Sequence, residues 1–308
     1  MRVHFLFTAL LIVIATHVAT AQDRAWLGKA RLFTNDQIGD GQDRWRTGSY
    51  SVSAIRGSDW RGALPDRPGS LMEYRFRSEI IAPANLANPV LGGDRRYVGA
   101  ISLGAITHFK LDQADVALGL DMIFTGPQTG LGDFQSRVHR ALGMPVPKVL
   151  GTQIPNAFYP TVNIELGKSF SPSPDTLPEL SLRPFIEAQA GVEDYIRIGG
   201  DLTFGHAGSG GLLVRDPTTG YRNVAVKGED NTGLTFLLGA DLAYVGSSAY
   251  LPSASGYTPN TPRARFRAGV YSETKDSSFF YGLTWLGREF KAQSNSQVVG
   301  SVSIRLNF

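Results

Sequence analysis

The chain has 308 residues, a formal charge of +3 and no cysteine. The missing cysteine excludes a disulfide framework, a thiol nucleophile and a thiolate metal site, and so small a charge argues against nucleic acid as a partner. A mean hydropathy of −0.09 excludes a helical membrane protein, but not a strand-built one, in which lipid-facing apolar and lumen-facing polar residues average out.

The N-terminus reads as a signal peptide. Arg2 and His4 form a short basic region, Phe5 to Ala15 is an apolar run too short to span a bilayer, and Ala19-Thr20-Ala21 is a small-x-small cleavage site. Residues 1–21 are expected to be the leader. Residues 22–308 are expected to form one domain in the bacterial outer membrane.

Period-two alternation then recurs to the end of the chain. Tyr50, Val52 and Ala54 alternate with Ser49, Ser51 and Ser53. Met72, Tyr74, Phe76 and Ile80 alternate with Glu73, Arg75, Arg77 and Glu79, and Ala264, Phe266, Ala268 and Val270 with Arg263, Arg265 and Arg267. Charges along one strand face, repeated in several strands, suit a polar lumen better than a packed soluble core. The last strand sets Val302, Ile304, Leu306 and Phe308 against Ser301, Ser303, Arg305 and Asn307 and stops on an aromatic residue. About twelve strands are expected, near 26–36, 46–57, 71–83, 96–111, 115–126, 159–172, 179–193, 195–206, 232–250, 263–276, 277–290 and 296–308, an even count that leaves both termini in the periplasm. The fold class is all-β: a transmembrane antiparallel up-and-down β-barrel.

Turn signals separate many strands: Gly39-Asp40-Gly41, Pro65 to Gly69, Ser171 to Asp175 and Asp216-Pro217-Thr218-Thr219-Gly220. Residues 131–143 differ. Leu131, Phe134, Val138, Ala141 and Leu142 form one helical stripe, with Gly143 as the stop and Pro145 beyond it. With a periplasmic N-terminus, this helical segment shares the outer rim with the turn at 37–45 and the loop at 84–95.

Three constellations on that rim could carry chemistry. Asn35-Asp36 ends the first strand and Thr47 begins the second; their oxygens form a partial shell for a hard cation such as calcium, although Asn and Asp also begin ordinary turns. His139 lies on the outer helix, and a neutral imidazole can take a proton from water; the other reading is a solvated helix face between Arg137 and Arg140. His108 and His206 are its rivals beyond the leader. Arg95 and Arg96 suit anionic lipid head groups, or a rim ion pair with Asp94. No Gly-x-Ser-x-Gly, no His-Glu-x-x-His and no phosphate loop occurs.

Four blocks, taken in order, resemble the outer-membrane lipid A 3′-O-deacylase family (LpxR). They are Thr34-Asn35-Asp36 with Asp43-Arg44 and Thr47-Gly48; Ile81-Ala82-Pro83 with Asp94-Arg95-Arg96-Tyr97-Val98-Gly99; Leu118 to Asp121 through Thr125-Gly126-Pro127 to Val138-His139-Arg140 and Leu142-Gly143; and Gln153-Ile154-Pro155-Asn156. The resemblance implies a twelve-stranded barrel with an active site between the outer wall and the loops, hydrolysing the 3′-linked acyloxyacyl group of lipid A with calcium. By carry-over, His139 would activate water, and Asp36 with Asn35 and Thr47 would hold or surround the calcium. Arg95, with Arg96 beside it, would face the substrate. The chain departs from the family at Met144-Pro145-Val146-Pro147, which lacks an acid, at Ala157 in place of Glu, and at Arg96 in place of Pro.

The expected protein is therefore a membrane-embedded, monomeric hydrolase of lipid A or lipopolysaccharide in the outer leaflet. The alternatives are a non-enzymatic pore and a barrel phospholipase using Ser136, three residues before His139.

Overall fold

The computed structural model describes residues 24–87, 94–171, 180–206, 208–228 and 232–306. The leader, Gly92-Gly93, most of the 171–175 turn and Phe308 lie outside them. Twelve strands close an antiparallel barrel: β1 (Ala25–Asn35), β2 (Trp45–Gly57), β3 (Met72–Ala82), β4 (Val98–Leu111), β5 (Ala114–Thr125), β6 (Ala157–Gly167), β7 (Leu180–Ala190), β8 (Glu193–Phe204), β11 (Gly233–Ser248), β12 (Arg263–Glu273), β13 (Ser277–Leu286) and β14 (Gln297–Leu306). The remaining two, β9 (Leu212–Arg215) and β10 (Arg222–Val226), form a separate hairpin. β1 closes the ring on β14, with Thr34 opposite Ser301 and their hydroxyls 2.9 Å apart. Closure leaves no unpaired edge, which a strand-built wall in lipid requires. No helix among the described residues is long and apolar enough to cross a membrane.

The alternation of the strands decides which side chains meet lipid. Along β13, Phe279, Tyr281, Leu283 and Trp285 point outward and are exposed, while Phe280 and Thr284 are buried. Aromatic pairs sit at both ends of the wall: Trp26 with Tyr74 at one, Phe124 with Phe158 and Phe266 with Trp285 at the other. Such girdles mark the two membrane–water interfaces. The inner face carries charge, and the charges pair. Arg265 and Arg267 reach the two oxygens of Asp241 at 2.8 and 2.6 Å, and Arg183 meets Glu165 at 2.6 Å.

The stretch Asp216 to Gly220 needs correction. It is not a turn between two barrel strands but the tip of the β9–β10 hairpin, which folds into the lumen. Leu212, Val214, Ala225 and Val226 pack against inward-facing Ala30 and Ile55 and against Leu71. Arg215 fixes the hairpin to the wall through Glu165 at 2.6 Å and Asp201 at 2.8 Å. At the tip, the Thr218 hydroxyl donates to Glu79 at 3.0 Å. The strands Leu212–Arg215 and Arg222–Val226 are short and follow Gly208 to Gly211, so the alternation does not distinguish them from a loop.

Candidate active site

The rim between β1, β2 and β5 is built around Asp36, which follows the last residue of β1. Its N–H donates to Thr47 O at 3.1 Å, its carbonyl accepts from Gly39 and Gly41, and one carboxylate oxygen accepts from the Arg44 N–H at 2.7 Å. The 36–47 connection is thus wrapped around a carboxyl that is 1% exposed. Asp36 does shape a turn, and that turn buries its charge. Burial pushes the Asp36 pKa up from 3.8 to about 8; the Arg44 amide opposes the rise, and Asp43 and Asp40 add to it.

Asn35 and Thr47 flank this carboxyl. Asn35 Oδ1 accepts the Gln37 N–H at 2.8 Å, which fixes the amide so that its Nδ2 lies over Gly48. A Cβ at Gly48 would come within 3.1 Å of that nitrogen. The Thr47 hydroxyl is buried beside Asp43, close enough to favour the Asp43 carboxylate, yet no hydrogen bond of good geometry closes on it. β2 opens with a bulge between Trp45 and Gly48, and Trp45 has φ of +53°, which bulky residues rarely adopt. Its indole N–H donates to Asp94 at 3.1 Å, tying the β1–β2 rim to the segment that leads into β4.

His139 arrives from the helix α1 (Leu131–Leu142), capped by Gly143 at φ +69°. The face it shares with Gln135 and Ser136 is buried, so His139 is 5% exposed rather than solvated between its arginines. Nδ1 lies 2.7 Å from Pro145 O. A carbonyl only accepts, so Nδ1 carries hydrogen, and in the neutral ring Nε2 keeps the lone pair. Nε2 lies 3.4 Å from Asp43 Oδ2. Burial raises the Asp43 pKa, with His139 and Thr47 opposing. No bond joins His139 to Asp36. Asp43 stands between them, touching the imidazole and near enough to Asp36 to raise its pKa.

Asp43 is therefore the residue that sequence reasoning missed as a site member, although it stands in the first resemblance block. Tyr97 is another. Its side chain is fully buried and its hydroxyl has no hydrogen-bond partner; burial, with Asp43 and Asp133, holds its pKa above the usual value, so it remains an O–H donor. The rivals of His139 lie elsewhere. His108 is in the lumen near the opposite end of the barrel, 2.8 Å from Glu73, and His206 follows β8 at that same end.

Arg95 lies inside the rim. It does not face outward from the rim. Its side chain is buried and ion-paired with Glu289, beside the Arg46–Glu289 pair at 2.6 Å. It does not pair with Asp94, whose carboxylate accepts from the Trp45 indole and from the Ala84 and Arg95 amides. Arg96 is half-buried near Tyr257.

The donor set suits a hard cation in kind. Asp36, Asp43 and the unpartnered Thr47 hydroxyl offer only oxygen. Among the described residues no three acidic or histidine side chains converge as a metal shell, so carbonyls, water or substrate oxygens would have to complete one.

The family model described as outer membrane protein LpxR matches residues 5–308. No curated protein matches the chain. Among solved structures, LpxR from Salmonella typhimurium superposes with a TM-score of 0.76 at 18% identity, covering 91% of this chain and 100% of the other. The NanC porin covers 91% and 100%, at a TM-score of 0.41 and 9% identity, too distant to carry an argument.

Proposed function

Because the chain belongs to the LpxR family of outer-membrane proteins, we propose that it removes the 3′-linked acyloxyacyl group from lipid A by ester hydrolysis. The observation that carries this reading is the His139 imidazole, buried at the membrane rim with Nδ1 held by Pro145 O and Nε2 turned to Asp43. Nε2 takes a proton from a water, whose oxygen attacks the ester carbonyl; the imidazolium then protonates the departing sugar oxygen. Asp43, 3.4 Å from Nε2, lies beside the positive charge that the ring gains in that step. Asn35 Nδ2, whose hydrogens make no hydrogen bond among the described residues, and the Tyr97 O–H are donors available to the carbonyl oxygen as negative charge develops. Calcium held by Asp36, Asp43 and Thr47 would supply Lewis-acid polarisation of that carbonyl.

The alternatives find less support. A pore needs an open lumen, and here the β9–β10 hairpin sits inside it, tied to the wall at Glu165, Asp201 and Glu79. A Ser136 nucleophile needs a hydrogen bond to the imidazole, and among the described residues Ser136 makes none to His139, whose Nδ1 is held by Pro145 O. The test is to express wild type, His139→Ala and Asp36→Ala in a bacterial outer membrane and analyse lipid A by mass spectrometry. Wild type alone is expected to remove an acyloxyacyl unit, with His139→Ala reduced by about 100-fold or more. Unaltered lipid A with folded wild type in calcium would overturn the proposal.

A further inference from the structure

The helix α1 is amphipathic in an unusual sense: its buried face is polar and its apolar face is open. Gln135, Ser136 and His139 are buried, whereas Phe134 is 53% and Leu142 68% exposed. Successive residues advance by about 100°, which divides the helix into three sectors. Gly132, Gln135, Ser136 and His139 point to the site. Asp133, Arg137 and Arg140 lie about 120° round from them and are exposed. Leu131, Phe134, Val138, Ala141 and Leu142 form the sector between them.

The apolar sector joins a surface already assigned to lipid. Gly99, the second residue of β4, is in phase with Ile101, Leu103 and Ala105, which point outward. A Cβ at Gly99 would lie 3.1 Å from the Leu131 Cβ, so the helix starts against the outer face of the wall. Below it, Met122 and Phe124 of β5 and Phe158 of β6 carry the same apolar band up to the rim. The charged sector turns away from that band, as it does in helices lying in a membrane interface.

We infer that α1 is an interfacial anchor: its Leu131-to-Leu142 stripe lies against the acyl chains of the surrounding leaflet, and Arg137 and Arg140 lie at the head-group level. The barrel's lipid-facing surface then continues without a polar gap onto the helix that bears His139. This inference rests on the barrel's place in the outer membrane and stands whether or not the site hydrolyses lipid A.

The absence of cysteine allows clean labelling. Phe134→Cys, Leu142→Cys, Arg137→Cys and, in the exposed β13–β14 loop, Ser294→Cys would each carry an environment-sensitive fluorophore. The folded proteins would be placed in phosphatidylethanolamine–phosphatidylglycerol vesicles. Positions 134 and 142 are expected to be quenched several-fold more strongly by lipid-borne nitroxide than 137 and 294, and protected from aqueous iodide. Iodide access at 134 and 142 equal to that at 294 would overturn the inference. So would protection from both quenchers, which would place a protein partner or second copy on the stripe.

Discussion

Asp36 is held in a place where its charge is expensive, and this makes the rim sensitive to pH. Its pKa is raised from 3.8 to about 8, so the folded state holds a proton that the unfolded chain has already lost. The sign follows: this group costs nothing below about pH 4, destabilises progressively as pH rises toward about 8, and adds nothing further above that. The slope is at most about 1.4 kcal/mol per pH unit. In chelator, thermal unfolding in detergent is expected to show a midpoint that falls from pH 5 to 8 for wild type and stays flatter for Asp36→Asn. Millimolar calcium is expected to raise the wild-type midpoint at pH 8 and to leave Asp36→Asn nearly unmoved. A calcium response preserved in Asp36→Asn would remove Asp36 from any cation site. That Asn35, Asp36, Thr47 and His139 share one rim was legible because turn chemistry, topology and motif resemblance all point there. Asp43 was not, because a carboxylate in a polar turn has no spacing that singles it out; only burial beside an imidazole does. The inward turn of Arg95 was not legible either, since nothing in its sequence neighbourhood reveals the distant Glu289 with which it pairs.

At the level of elements, the twelve wall strands follow from alternation because each has one wet and one lipid-facing side. The hairpin escapes this logic. β9 has four residues and β10 five, and they lie inside the barrel, with no lipid face to impose an alternating pattern. Arg215 holds the hairpin in place through Glu165, Asp201 and the Gly220 carbonyl at 2.7 Å. Removing one member of a buried ion network leaves uncompensated charge worth about 3–5 kcal/mol. Arg215→Met is therefore expected to speed amide exchange across 212–226 by at least about 100-fold, since about 2.7 kcal/mol of local opening suffices, while β12 to β14 keep their protection. Equal loss of protection throughout would mean that the hairpin is structurally continuous with the wall. The helix α1 was legible as a helix from its stripe. Which sector is buried was not, because an apolar stripe predicts burial in water and exposure in lipid, and only the membrane reverses the choice.

Across the whole molecule, the charges that first suggested a lumen do more than line it. Arg46 of β2 meets Glu79 of β3 at 3.0 Å, Glu289 of the β13–β14 loop at 2.6 Å and Glu193 of β8 at 3.6 Å. Arg263 of β12 joins Glu193 at 3.0 Å, and Arg95 joins Glu289. Strands far apart around the ring are thus cross-braced beneath the rim that carries Asp36 and His139. Inter-strand hydrogen bonds tie only neighbours, so this bracing adds a direct constraint between non-adjacent strands at the outer mouth. Arg46→Met conserves much of the apolar stem but leaves three carboxylates short of a partner, and is expected to destabilise the barrel by about 3–5 kcal/mol. Arg61→Met breaks only the exposed pair with Asp59, whose side chains are 85% and 51% accessible, and is expected to cost about 0–1 kcal/mol. Urea unfolding of vesicle-embedded protein, followed by tryptophan emission, separates the two. Similar midpoints for both variants would show that Arg77, Arg95 and Arg263 suffice to hold those carboxylates, and that the mouth keeps its shape without Arg46.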